Sequence, residues 1–357
     1  MHEWIESPAA FAGRLAASAG EPRIGLDTEF MRTDTYWPKL ALLQWRDSGP
    51  PVLADPLACA DLPGLADLLA SERCVKIMHS ASEDLVALWT VAPVPVAALF
   101  DTQVAAAFAG LGSGLGYQKL VALLLGVELD KGETRSDWLR RPLSDAQRHY
   151  AAADVVHLPA LHDALLERLR TRGMLGWCEE DCARLAGQSA NTDAQPHLSF
   201  TALWQQPSPV QARLRRVLRW REALARQIDR PRLWVLDNAT AGALATQPPA
   251  RSEGLIERVR GQRSLPRREL PALLAVLNDE PAHAEDACPP IPAPLRGEPQ
   301  RRFDALRAAV ARRADELDLP AALLAPRRLL EAQVRGETVP EWRGWRGEVL
   351  AEALRAG

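Results

Sequence analysis

Lysine is almost missing from this chain of 357 residues: of 43 basic residues only Lys39, Lys76, Lys119 and Lys131 are lysine, and the rest are arginine. With alanine also abundant, this imbalance carries the mark of coding bias, so where the basic residues stand argues better than how many there are. Cysteine is sparse too. Cys59, Cys74, Cys178, Cys182 and Cys288 make an odd count without paired Cys-x-x-Cys sets, which argues against zinc fingers and a disulfide framework and suits a reducing compartment. No hydrophobic run is long enough to span a bilayer. The longest, residues 85–100, contains Pro93 and Pro95 and reads as a core helix turning into a strand. The first six residues are acidic where a secretory signal is basic, so no export and a cytoplasmic location are expected. Disorder is excluded, since 47% hydrophobic content is ample for buried cores, and the length suggests two or three domains.

What is present is acid at three separated points. Asp27 and Glu29 lie in Ile24-Gly-Leu-Asp-Thr-Glu-Phe30, Asp84 in His79-Ser-Ala-Ser-Glu-Asp-Leu85, and Asp154 four residues after Tyr150. Each carboxylate borders an apolar stretch, where an unpaired charge is costly unless a cation or hydrogen bonds compensate it. Residues 23–26 read as a buried strand running into the Asp-x-Glu pair, and period two puts residues 27 and 29 on one face. Two carboxylates so placed repel, which raises the pKa of at least one until a cation arrives. Ser144 to about Arg170 is rich in helix formers with one proline, Pro159, so Tyr150 and Asp154 stand one turn apart on one face. Asp84 follows the apolar stretch 74–78 and sits near a helix start. Each motif alone has a plainer reading: an exposed loop pair, an acid favouring a helix dipole, a surface hydrogen bond. Their order and spacing together point to a metal-dependent nuclease.

These residues resemble the ribonuclease D group of the DEDD family of 3′-to-5′ exonucleases, in the subgroup whose third motif carries a tyrosine. Flanking sequence agrees: Asp101-Thr-Gln-Val-Ala-Ala-Ala-Phe108, Gly116-Tyr-Gln-Lys-Leu120, Arg135-Ser-Asp-Trp138 and Arg141-Pro-Leu143. The similarity runs from about residue 20 to 175. It implies two divalent ions, Mg²⁺ or Mn²⁺, about 3.5–4 Å apart, held by hard oxygen ligands. By resemblance Asp27 bridges both ions, Glu29 and Asp154 complete the site on the nucleophile's side, Asp84 acts mainly through water on the second ion, and Tyr150 orients the attacking water. A phenol with an ordinary pKa near ~10 is a poor base at neutral pH.

Further candidates are weaker, and each has a structural alternative. His79 lies close to Asp84 as an acid, base, ligand or packed ring. Lys131 and Arg135 contact a terminal phosphate or are plain surface charge. Phe30 and Met31 wedge against the last base or pack in the core.

Charge divides along the chain. Residues 1–196 carry 17 Lys plus Arg against 26 Asp plus Glu, and the remainder 26 against 20, so an acidic half that needs metal precedes a basic half suited to phosphate. The expected fold class is α/β: a ribonuclease H-like mixed sheet in an exonuclease domain over 1–186, followed by two small all-helical domains. Candidate strands are 23–27, 40–46, 51–54, 74–78 and 97–100, the first three joined as hairpins. A polar linker at 186–208 leads to a helical stretch whose residues 210–237 resemble the helicase and ribonuclease D C-terminal (HRDC) domain, expected over 208–285. A proline-rich extended linker at 286–294 leads to a second, divergent copy over 297–357. Amphipathic arginine-bearing helices are explained by packing about as well as by RNA contact. The expected function is release of 5′-mononucleotides from RNA 3′ ends, with precursors of transfer RNA as the implied substrate and no obligate protein partner. The alternatives are a DNA exonuclease and a catalytically silent RNA-binding protein.

Overall fold

A computed structural model describes residues 2–59, 61–129, 136–187, 193–279 and 288–356. The chain divides into two compact units: residues 1–31, 38–191 and 295–357 form the first, and residues 32–37 with 192–294 the second.

The first unit is built on one six-stranded mixed sheet. In chain order its elements are β1 (Glu3–Ile5), α1 (Pro8–Ser18), β2 (Arg23–Met31), β3 (Lys39–Arg46), β4 (Val52–Ala54), α2 (Leu65–Ala70), β5 (Val75–Met78), α3 (Ser82–Val91), β6 (Leu99–Asp101), α4 (Thr102–Phe108), α5 (Tyr117–Leu125), α6 (Asp145–Val156), α7 (Leu158–Thr171) and α8 (Leu175–Ala186). The strand order is β1-β4-β3-β2-β5-β6. β2, β3 and β4 form the antiparallel portion, while β5 and β6 add in parallel beside β2. The five expected strands are present with shifted ends. β1 is an addition, pairing in parallel with β4; at three residues with one acid it has too little apolar pattern to read. Opposite the Glu29–Phe30 step the ladder shifts by one, leaving Ala41 as the extra residue of β3. Arg141 donates to the Ala41 carbonyl and forms a two-point ion pair with Asp55, locking that irregularity in place.

The helix expected from Ser144 to about Arg170 is two. Ser144 and Gln147 form a reciprocal cap that starts α6, and the chain breaks at His157. Pro159, in the first turn of α7, has no N–H to carry the ladder onward. The junction rests on β2 at Gly25: a Cβ there would lie 2.8 Å from Leu158 Cβ and 3.2 Å from the Val155 carbonyl. Glycine is required by this close approach, two residues before Asp27.

Residues 295–357 differ from expectation. α14 (Glu298–Leu317), α15 (Ala321–Leu324), α16 (Arg327–Val334), α17 (Trp345–Val349) and α18 (Ala351–Ala356) belong to the first unit rather than standing apart. Phe303, Leu306, Val310 and Trp345 share one core with Phe108 of α4 and Cys182 of α8. Trp345 stacks on Trp177 at 5.0 Å and meets Phe108 edge-on.

The second unit packs α9 (Ser208–Gln227), α10 (Arg232–Val235), α11 (Asn238–Thr246), α12 (Ser252–Val259) and α13 (Leu270–Asn278) around Leu214, Val217, Leu218, Leu244 and Leu273. Both expected linkers are partly absorbed into it. His197, in the first, is buried and bonds the Pro289 carbonyl, while Ile291, in the second, is buried with its N–H on Gln211. Residues 32–37 pack here too: Asp229 accepts from the Tyr36 and Trp37 N–H groups, both at 3.0 Å. Several arginines of α9 act in packing. Arg213 donates to the Ala245 and Leu277 carbonyls and Arg221 to that of Leu236, capping helix ends that would otherwise keep bare acceptors.

Candidate metal centre

β2, α3 and α6 carry the three acidic motifs to one place. Asp27 and Glu29 extend from alternate positions of β2, and α6 lies over β2 and β3 so that Asp154 meets them. One oxygen from each of Asp27, Glu29 and Asp154 lies within 4.8 Å of the others. Asp84, in the first turn of α3, stands outside that group. The Thr28 hydroxyl donates to it at 2.5 Å, and it is buried. The α3 start is itself anchored by Asp101, a buried carboxylate that accepts the Ser80 and Ala81 N–H groups together with those of Gln103 and Val104. With four backbone donors Asp101 is satisfied, and its role is to hold the segment carrying Asp84.

The electrostatics fit divalent cations bound by hard oxygen donors. Burial, then the charges of Asp84, Asp154 and Glu29, drive the Asp27 carboxyl well above the usual range. Burial and the charges of Asp154 and Asp84 raise Glu29 to about 9. Burial raises Asp84 to about 7 against the opposing Thr28 hydrogen bond, and it raises Asp154 to about 7 against that from Tyr150. Among the described residues no lysine or arginine pairs with any of the four. Crowded carboxylates without a protein cation are what a dication relieves.

Tyr150 stands one turn before Asp154 on α6, and burial followed by the nearby negative charges, that of Asp154 first, holds its phenol protonated. Its ring lies 6.1 Å from that of Trp138. Phe30 and Met31 are half-buried, Met31 against the cluster of Leu42, Leu53 and Trp138. His79 bonds Thr102 at 2.8 Å and packs edge-on against Tyr117 at 5.7 Å; burial lowers its pKa, and it is not among the converging ligands. Lys131 and Arg135 lie outside the described residues.

Two residues beside the cluster received no role from the sequence, although Tyr117 lies in the family-like stretch 116–120. Tyr117 donates to the Ala153 carbonyl at 3.1 Å and accepts from the His157 N–H at 3.3 Å. In an unbroken helix those two groups would bond each other, so the phenol is spliced into the last rung of α6, next to Asp154. Gln44 stands opposite Asp27 in the β2–β3 register. The signal for it was a polar residue inside the apolar run 40–45.

The chain is similar to known proteins over its whole length. The family described as 3′–5′ exonuclease matches residues 2–170. Ribonuclease D of Xanthomonas oryzae pv. oryzae is 45% identical over 354 residues, covering 98% of this chain and 96% of its own. Ribonuclease D of Pseudomonas paraeruginosa is 35% identical, covering 99% and 96%. The crystal structure of Escherichia coli RNase D, described as an exoribonuclease involved in structured RNA processing, matches with a TM-score of 0.88 at 30% identity, covering 100% of this chain and 98% of that one.

Proposed function

The chain belongs to the ribonuclease D family and is a 3′–5′ exoribonuclease, and from that premise we propose that it removes 5′-mononucleotides from the 3′ ends of structured RNAs, transfer RNA precursors among them, in the cytoplasm. The single observation that carries the reading of the site is the convergence of Asp27, Glu29 and Asp154 within 4.8 Å, with Asp84 beside them.

In this reading Asp27, Glu29 and Asp154 would hold one divalent ion, and Asp27 and Asp84 would serve a second; Mg²⁺ and Mn²⁺ would suit the all-oxygen donor set. When bound, the ions supply Lewis-acid charge that offsets the negative charge growing on the phosphate and on the departing 3′ oxygen. The chain's own residues do the rest. Tyr150, kept protonated beside Asp154, orients the water that attacks the phosphorus. Phe30, next to Glu29 on β2, is assigned to the terminal base, and Lys131 and Arg135, which lie outside the described residues, are assigned to the terminal phosphate from their place in the sequence before Ser136-Asp-Trp138. His79, bonded to Thr102, is a weaker contact to substrate. The helices of the second unit fit the HRDC resemblance and a role in holding RNA. Residues 297–357 carry the fainter second copy of that pattern. Support for structured RNA comes from the description of the E. coli relative.

The test is degradation of a 3′-extended transfer RNA beside an unstructured RNA and a DNA of equal sequence. Each is incubated with Mg²⁺, with Mn²⁺ and with EDTA. Stepwise mononucleotide release, stopped by EDTA and preferring RNA, is expected. Equal rates on DNA would move the reading to the sugar-indifferent nuclease, and no release with either metal would end it.

A further inference from the structure

Strand β3 is apolar from Leu40 to Leu43 and then sets Gln44, fully buried, opposite Asp27. The Gln44 Nε2 donates to Asp27 Oδ2 at 3.3 Å. Its Oε1 is buried with no hydrogen-bond partner among the described residues. An unpaired buried acceptor is a net cost to the fold, and the neighbouring side chains on this face, Leu42 and Leu53, pack as hydrocarbon. Packing alone favours leucine or methionine at this position.

We propose that Gln44 is a positioning residue for Asp27, restricting the rotation of that carboxylate so that it meets the divalent ions in one orientation. The inference rests on reading Asp27, Glu29 and Asp154 as a cation cluster. A neutral donor suits the task better than any other side chain. Arginine or lysine would pair with Asp27 and cancel the charge the ions need, another carboxylate would add repulsion, and an aliphatic chain would leave Asp27 free to turn.

The experiment compares the full-length wild type with Gln44→Leu and Gln44→Met, by Mn²⁺ titration calorimetry and by thermal unfolding in EDTA. Mn²⁺ binding is expected to weaken roughly 10–100-fold in both variants. The metal-free Tm should hold or rise, because the orphaned acceptor is gone, and KM for RNA should stay within about twofold while kcat falls at limiting metal. Loss of metal affinity without loss of stability is the combination that a packing role cannot produce. Wild-type affinity in both variants would overturn the inference and leave the cluster intact. So would a drop in metal-free Tm beyond about 5 °C in both, or failure of both to fold, since glutamine would then be structural. A wild type that takes up no Mn²⁺ would remove the cluster itself.

Discussion

Burial, then the charges of Asp154 and Asp84, push the Glu29 carboxyl up to about 9 when no metal is bound. A carboxyl raised from its ordinary 4.5 stabilises the fold fully below that value, and the contribution drains away as pH climbs through the folded value. Asp84 and Asp154, raised to about 7, act in the same direction at lower pH. The metal-free Tm is therefore expected to fall from pH 5 to pH 9. Glu29→Gln, a permanent mimic of the protonated form, should flatten that slope, and Mg²⁺ at pH 8 should raise the wild-type Tm by binding only the native cluster. Thermal unfolding across the pH range reads all three, and a Tm rising with pH in EDTA would contradict them. At the same scale, Asp154→Ala should abolish nucleotide release, whereas Tyr150→Phe should slow single-turnover chemistry by roughly 10²–10⁴ with RNA affinity kept. Equal losses in rate and binding for Tyr150→Phe would instead make it a substrate contact.

Elements decide whether these side chains meet, and the decisive joint is the break between α6 and α7. Its seat on Gly25 leaves no room for a Cβ, and Gly25 is two residues from Asp27 on the same strand. Gly25→Ala should cost about 1–3 kcal/mol through overpacking and lower kcat by about 10²-fold by shifting Asp154 from Asp27. Circular dichroism melting and steady-state kinetics on the same sample check it; full activity would show that the joint has slack. The sequence shows the material of this joint but not its assembly. Period two placed Asp27 and Glu29 on one face, and period 3.6 placed Tyr150 over Asp154. The break itself needed Pro159 to be weighed together with Tyr117, a residue some forty positions away that nothing local connects to α6. Gln44 stayed hidden for the same reason, since its meaning depends on a partner strand's register. Asp101 stood in a family-like stretch without a role, and only its four backbone donors show that it anchors the segment carrying Asp84.

For the molecule as a whole, the telling difference from the sequence reading is the tail. The divergent second helical copy expected over 297–357 suggested a self-contained unit, yet residues 295–357 complete the core of the first. Amphipathic pattern reveals that a helix has an apolar face; it does not say which core receives it. The attachment is polar as well as apolar. Arg346 meets both oxygens of Asp181 on α8 at 2.6 Å and also donates to the Leu323 carbonyl, while the Trp345 indole donates to the same carboxylate at 2.9 Å. Both charges are buried, and Asp181 also pairs with Arg184, so losing Arg346 leaves the carboxylate one cation instead of two, whereas losing Asp181 leaves Arg346 without a carboxylate. Arg346→Ala is expected to cost about 1.5–3 kcal/mol through its lost charge-assisted hydrogen bonds, whereas Asp181→Leu, which leaves Arg346 buried without a carboxylate, should cost more, about 3–5 kcal/mol. Because the tail and the nuclease sheet share one core, the damage should appear in the unfolding of the whole first unit, with the Tm of nuclease activity falling alongside it. Retention of the wild-type activity midpoint in Arg346→Ala, or in a chain ending at residue 294, would mean that the nuclease fold stands without its tail.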